Sequence, residues 1–425
     1  MGDREDEETR CTLKPPMKLL SAIEYPELRQ LYLPVAHHGR VFMRTPEKKL
    51  VAMDEASGEV LWENADELIW FPELIWRDRL VGHYNKKVRV EGGAILDESV
   101  GLALIDLQTG RTERVLECDS SQQKLAGGST LLGGSLGAVR ALDFDTGKTI
   151  WTWKSEPEHY VTPSSLAADA RAVYFGLDGW LVALDQRTGH EVWRSSIPEM
   201  IDNMVDLKNR YGNLVDPVVH NSAVHGEFLV CEAGFWVVGL RLKDGKRQWV
   251  WGREGYDVSG MSLYNGLCYV YLHDGHLVRL EPATGRVVSD HDLTRGLPKE
   301  LRGAVPTKPF LVSDTHVFTG SRRGAVMAFE RETGRYAWSL QPKGAAATGD
   351  FFGSGFVVGD KRLYYSDASL RVYCLAEDPT THGGQAEKGP KAKRSKKLSA
   401  KARKAAPDGK VGSRGRGKGA KKKRA

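Results

Sequence analysis

The residues able to do chemistry in this 425-residue chain fall into four groups. Gly133-Gly134-Ser135-Leu136-Gly137 fits the Gly-x-Ser-x-Gly nucleophile elbow, in which a serine on a strained strand-to-helix turn attacks an acyl carbon. Repeat alignment instead puts Ser135 in a hairpin. Gly412 to Gly419, reading GSRGRGKG, approaches a phosphate-binding loop, but glycine stands where the magnesium-binding Ser or Thr belongs and no strand or helix pattern flanks it. His37-His38, His159, His220, His225, His273 and His276 are scattered, and no further ligands follow at metal-binding spacing. They read as turn or surface histidines. Cys11, Cys118, Cys231, Cys268 and Cys374 are odd in number and far apart, which predicts reduced thiols rather than a disulfide framework or a zinc site. No catalytic residue, metal ligand or cofactor-binding residue emerges, so the expectation is a non-enzymatic protein without a cofactor.

Charge is the next chemical signal, and it is divided unevenly. Residues 388–425 carry 17 of the 61 Lys and Arg and only one of the 55 Asp and Glu, so a tail of +16 offsets a body of −10 within the formal net charge of +6. The candidate polyanion-binding residues are Lys391, Lys393, Arg394, Lys396, Lys397, Lys401, Arg403, Lys404, Arg414, Arg416, Lys418, Lys421, Lys422, Lys423 and Arg424. This segment has no aromatic residue and few large apolar ones, so it cannot bury a core and is expected to be disordered. Its composition resembles the tails of linker histones and lysine-rich nucleoid proteins. A flexible polycation gains free energy by displacing counterions from polyphosphate, so non-specific binding of nucleic acid or another polyanion is expected. The lack of aromatics argues against base stacking, and hence against sequence or single-strand preference. Other readings are a solvated tail, an anionic-lipid contact, a ribosomal RNA contact, or association with the acidic body.

A site needs elements to position it, and here those elements repeat. The phrases LVAMDEASGEVLWE, VRALDFDTGKTIWTW, LVALDQRTGHEVWRS and VMAFERETGRYAWSL are versions of one unit that recurs seven times. Its glycines are Gly58, Gly110, Gly147, Gly189, Gly245, Gly285 and Gly334, spaced by 46 residues on average, which suits four short strands and their loops. In each unit an alternating strand leads to a polar turn whose glycine supplies positive φ. An acid precedes the turn at Asp54, Asp106, Asp143, Asp185, Glu281 and Glu330, placed to accept N–H bonds from it. An aromatic anchor follows at Trp62, Trp151, Trp193, Trp249 and Trp338, the large ring that packing between successive sheets requires.

Residues Ala141 to Trp151 and Ala183 to Trp193 carry the pattern Ala-Leu-Asp, Thr-Gly, Trp, and through it the chain resembles the pyrroloquinoline-quinone-type β-propeller repeat family. The resemblance covers about residues 30–375. It implies an all-β fold, an eight-bladed β-propeller of four-stranded antiparallel blades. An eighth unit starts at GFVVGDKRLYYSDASLRVYCLAED but lacks a fourth strand. MKLLSAIEYP near the N-terminus is expected to supply it, closing the ring without an open edge. Seven blades would result if the second unit, with its long hairpin Asn85 to Ser99, folded differently. In fold only, the chain is also similar to the propeller lipoprotein of the outer-membrane β-barrel assembly machinery. Quinoprotein dehydrogenases of similar fold use calcium, a catalytic Asp and often a vicinal cysteine pair. No two cysteines are adjacent here, so a quinone- or small-ligand-binding oxidoreductase or sensor is the alternative reading.

The expected organisation is a disordered acidic stretch at 1–14, a propeller at 15–378 and a disordered tail at 379–425. The acidic start, MGDREDEETRC, lacks the basic and apolar regions of an export signal, and no apolar run is long enough to span a membrane, so a cytoplasmic monomer is expected. A hydrophobic fraction of 41% is enough for a large core. Propellers act through rim loops, so an unknown protein partner should meet one of these. Pro198 to Glu227, with Met200, Met204 and Tyr211, is an insertion the repeat does not need. Asn64 to Arg79 reads either as an aromatic, acidic contact loop or, preferably, as the first hairpin of the next blade. Tyr256, Asp257 and the segment LPKELRGAVPTKP complete the candidates.

Overall fold

Alternating apolar residues become strands throughout the chain. The computed structural model describes residues 11–25, 33–89, 95–117, 124–127, 130–135, 138–155, 166–177, 179–201, 219–253, 256–303, 306–321, 323–345, 355–367 and 371–378. Among them 32 strands form eight four-stranded antiparallel sheets, an eight-bladed propeller. They lie in the compact unit Met1–Gly389, and the second unit, Pro390–Ala425, lies outside the described residues.

Blades 1 to 7 use consecutive strands within 35–64, 69–117, 124–154, 167–196, 219–252, 258–292 and 306–340. The second unit is therefore a full blade. Blade 8 combines Phe356–Val358, Arg362–Ser366 and Arg371–Glu377 with Met17–Glu24 as its outer strand. This N-terminal strand runs antiparallel to Arg371–Glu377, with Lys18 opposite Ala376 and Glu24 opposite Arg371. Closure of the ring by the two ends of the repeat region leaves no blade one strand short.

Within each blade burial follows strand position. The second strand of blade 4, Ala172–Leu177, is buried at every residue, whereas the outer strand, Glu191–Ser196, buries only Trp193. A four-stranded sheet covers its faces only against its neighbours. Accordingly Tyr174, Leu181, Ala183 and Trp193 of blade 4 share one core with Leu229, Cys231, Val238 and Leu240 of blade 5.

The turns between third and fourth strands hold this packing in register. Oδ1 of Asp54, Asp106, Asp143 and Asp185 accepts both the backbone N–H and the hydroxyl of the Ser or Thr three residues on, at 2.6 to 2.8 Å. The threonine hydroxyls above all hold the carboxyls of Asp106, Asp143 and Asp185 below the usual carboxylate range. The longer Glu281 and Glu330 accept the threonine hydroxyl at 2.6 and 2.5 Å and an arginine five residues on. The turn N–H bonds expected of these two carboxylates are not formed among the described residues. Because strands alternate in direction, the turns joining strands one to two and three to four share one face of the ring.

Candidate functional site

The catalytic look-alikes dissolve into structure. Ser135 ends the strand Thr130–Ser135 and pairs with Ala138, the first residue of the next strand, so the connection is strand-to-strand and not the strand-to-helix elbow. His276 Nδ1 lies 2.6 Å from Asp290 Oδ1, His273 Nδ1 meets the Ser259 hydroxyl, and the His37 and His38 rings stand 4.0 Å apart. Among the described residues no three His, Cys, Asp or Glu could hold a metal together. Cys11, Cys231, Cys268 and Cys374 are free and buried. Burial pushes the Cys11 thiol up to about 11 and the other three upward as well, which suppresses the reactive thiolate. Cys118 and His159 lie outside the described residues.

The aromatic anchors join blades. Each of Trp62, Trp151, Trp193 and Trp249 is 8% exposed. Their Nε1 groups donate to the carbonyls of Leu107, Gln186, Leu242 and Pro282 in the following blade, at 2.7 to 3.0 Å. Their rings cover Gly110, Gly189, Gly245 and Gly285 so closely that a Cβ there would fall 2.4 to 2.6 Å from the indole. Trp338 is half-buried against the core shared by blades 7 and 8. Over Gly147 and Gly334 the neighbour is Leu116 or His291 instead, a substitution the sequence pattern did not reveal.

Two of the proposed contact segments belong to the body of the fold. Asn64 to Arg79 contains the strand Ile69–Trp76, with Trp76 buried and stacked on Phe144 of blade 3 at 4.1 Å. In LPKELRGAVPTKP, Leu297 and Leu301 are buried in the core and Pro306–Val312 is a strand. Pro198 to Glu227 is not all insertion: Val219–His225 is the first strand of blade 5, and Met200, in the short helix Ile197–Met200, is buried, while Met204 and Tyr211 lie outside the described residues. Tyr256 remains exposed, with Arg253 over its ring.

A recess of about 510 Å³ opens among the first turns of blades 6, 7 and 8 and the segment leading into the closing strand. Lys14, Arg331, Lys361, Asp314, Asp360 and Glu377 line it together with Thr12, Asn265 and Thr315. The Tyr264 hydroxyl donates to Asp314 Oδ1 at 2.9 Å, and the Lys14 backbone N–H donates to Glu377 Oε1 at 2.8 Å. Backbone links tie the same region, since the Asp314 N–H donates to the Cys11 carbonyl at 2.8 Å. Opposed charges on a rigid rim suit a polar polypeptide surface, because they reward one register and penalise others.

Solved structures share this architecture. BamB from Moraxella catarrhalis matches with a TM-score of 0.56 and 18% identity over 85% of this chain and 100% of that one. The computationally designed Ika8 protein matches with a TM-score of 0.56 and 14% identity over 83% and 99%. Quinohemoprotein alcohol dehydrogenase from Comamonas testosteroni matches with a TM-score of 0.54 and 13% identity over 88% and 79%. No curated protein matches. These likenesses establish the fold. The likeness to the quinohemoprotein, at 13% identity, is one of fold. The family pattern that does match spans residues 72–289 and 273–380, most of the propeller, and by it the chain belongs to the family described as outer membrane protein assembly factor BamB.

Proposed function

We propose that this chain is a non-enzymatic, monomeric interaction scaffold of the cytoplasm. Its propeller holds a protein partner at the turn face of blades 6 to 8, and its basic tail binds nucleic acid or another polyanion without sequence preference. The observation that carries the reading is the recess lined by both Lys14, Arg331 and Lys361 and Asp314, Asp360 and Glu377 on the turn face. Membership of a family described by an assembly factor supports a scaffold role. No helix among the described residues is long and apolar enough to cross a membrane.

The two halves of the proposal are tested separately. Deleting residues 388–425 should abolish salt-sensitive retention on heparin and duplex DNA, since the counterions released there supply the affinity. Tm should stay within about two degrees, because the deleted composition buries no core. Equal retention of the shortened chain would overturn the tail assignment. For the propeller, a photo-crosslinker at the exposed Thr315 should give a discrete protein adduct in cells that Lys361→Glu weakens. Adducts only from the opposite face would overturn the choice of rim.

A further inference from the structure

The four indoles define a seat with three parts: an outer-strand position, a turn glycine of the next blade, and a carbonyl beside it. The outer-strand position is set by register. Trp62, Trp151, Trp193 and Trp249 pair with Ala52, Ala141, Ala183 and Gly239, and a one-residue irregularity follows each pair. In blade 8 the same register, with the same irregularity, pairs Cys374 with Ser21. The closing strand therefore places a serine, exposed, where the others bury a tryptophan.

The other two parts of the seat are intact. Gly58 of blade 1 has the same left-handed conformation as its counterparts, φ +74°, yet among the described residues nothing lies within 4 Å of a Cβ built there. In blades 2 and 6, which also lack the tryptophan, the residue two positions further on, Leu116 or His291, covers the next glycine. The equivalent residue in blade 8 is Ile23, and it does not reach Gly58. A recess of about 450 Å³ opens instead, lined by Leu20, Ser21, Met53, Gly58, Tyr364 and Cys374. Glu55 stands at the acceptor position, one residue after the turn acid, as Leu107 and Gln186 do elsewhere. Its buried carboxylate takes the Asp360 N–H at 2.9 Å on Oε2, while Oε1 has no partner among the described residues.

We propose that the seat over Gly58 is a docking site for a tryptophan side chain presented by a partner protein, its indole N–H donating to the Glu55 carbonyl. The chemistry of the occupant is written in the four filled seats. This chain cannot supply it, since all 11 of its tryptophans stand in strands of blades 1 to 5 and 7. Tryptophan is also, with tyrosine and arginine, among the side chains enriched as interface anchors in fitted pockets. The inference rests on the scaffold reading, but it concerns a second recess, which neighbours the charged one at Asp360 to Arg362.

Fluorinated N-acetyltryptophanamide, titrated into the full chain and followed by fluorine NMR, should bind saturably. Ser21→Trp should fill the seat from within, raise Tm and weaken the probe by at least about tenfold. Ser21→Leu should do so partly, and Val192→Trp, on the exposed outer strand of blade 4, should leave the affinity unchanged. No saturable binding, or undiminished binding to Ser21→Trp, would overturn the site. Binding that appears only after residues 1–10 are removed would assign the seat to the chain's own N-terminus, and a dimer dispersed by Ser21→Trp would assign it to a second copy; either result overturns the partner. Thr315 adducts report the scaffold reading independently, so their presence without indole binding sinks the seat alone.

Discussion

The seam between blades 4 and 5 and the seam between blades 8 and 1 solve the same packing problem by different means. At the first, Trp193 lies over Gly245 and donates to the Leu242 carbonyl, and the Ser195 hydroxyl donates to the Gly245 carbonyl at 2.9 Å. One side chain supplies area, shape and a hydrogen bond together. At the second there is no indole, and polar bonds run beside apolar clusters around Val51 and Tyr364. Arg362 donates to the Ala56 carbonyl at 2.8 Å, the Asp360 N–H to Glu55 at 2.9 Å and the Tyr25 hydroxyl to the Arg44 carbonyl at 2.6 Å. Burial raises the Glu55 carboxyl above its ordinary range. The difference follows from chain order: the closing strand comes from outside the repeat and brings no repeat tryptophan.

The largest effect is expected at the indole seam. Trp193→Ala should cost ~3–5 kcal/mol in denaturant unfolding, as expected for truncating a large buried side chain. A loss below about 1 kcal/mol would contradict an interblade anchor of this kind. Alanine at two turn glycines sharpens the contrast. At Gly58 (φ +74°) the cost should be the left-handed backbone alone, ~1–2 kcal/mol. At Gly189 (φ +72°) the added Cβ would also meet Trp151 at 2.6 Å, adding overpacking of ~1–3 kcal/mol. Equal losses at the two glycines would mean that the Gly58 seat is filled.

The smallest effect concerns the seat that His291 fills over Gly334. Burial, and then the Arg279 charge, lower the His291 pKa below its ordinary 6.5, so the fold favours the neutral ring. As pH falls below 6.5 the unfolded chain takes up the proton first, and stability drops until pH passes the lowered folded value. Tm should therefore decline on acidification through this window, and His291→Phe should make the decline shallower. An unchanged slope would remove His291 as the cause.

Much of the fold was legible because its signals are local. The turn Asp143-Phe144-Asp145-Thr146-Gly147 names its own hydrogen bonds, and alternation marks the strands on either side. Even closure could be anticipated, since blade 8 lacked a strand and Met17–Glu24 had the pattern of one. Interaction surfaces were less legible. Asn64 to Arg79 reads preferably as the first hairpin of the next blade, which it is, but that Phe144, far along the chain, covers Trp76 is not visible in it. The charged recess draws Lys14, Arg331 and Glu377 from distant positions, and no spacing rule joins them.

The sequence by itself determined the repeat, its turn chemistry, its tryptophan anchors and the opposite charges of body and tail. Each depends on neighbours within one unit or on composition. Only the tertiary structure decided which groups face one another across blades: that Leu116 and His291 stand in for indoles, and that Ser21 leaves the Gly58 seat open. Those outcomes depend on a register between strands about 350 residues apart, Met17–Glu24 and Arg371–Glu377. Side-chain direction alternates at every residue along a strand, so a slip of one position would have turned Ser21 away from the seat.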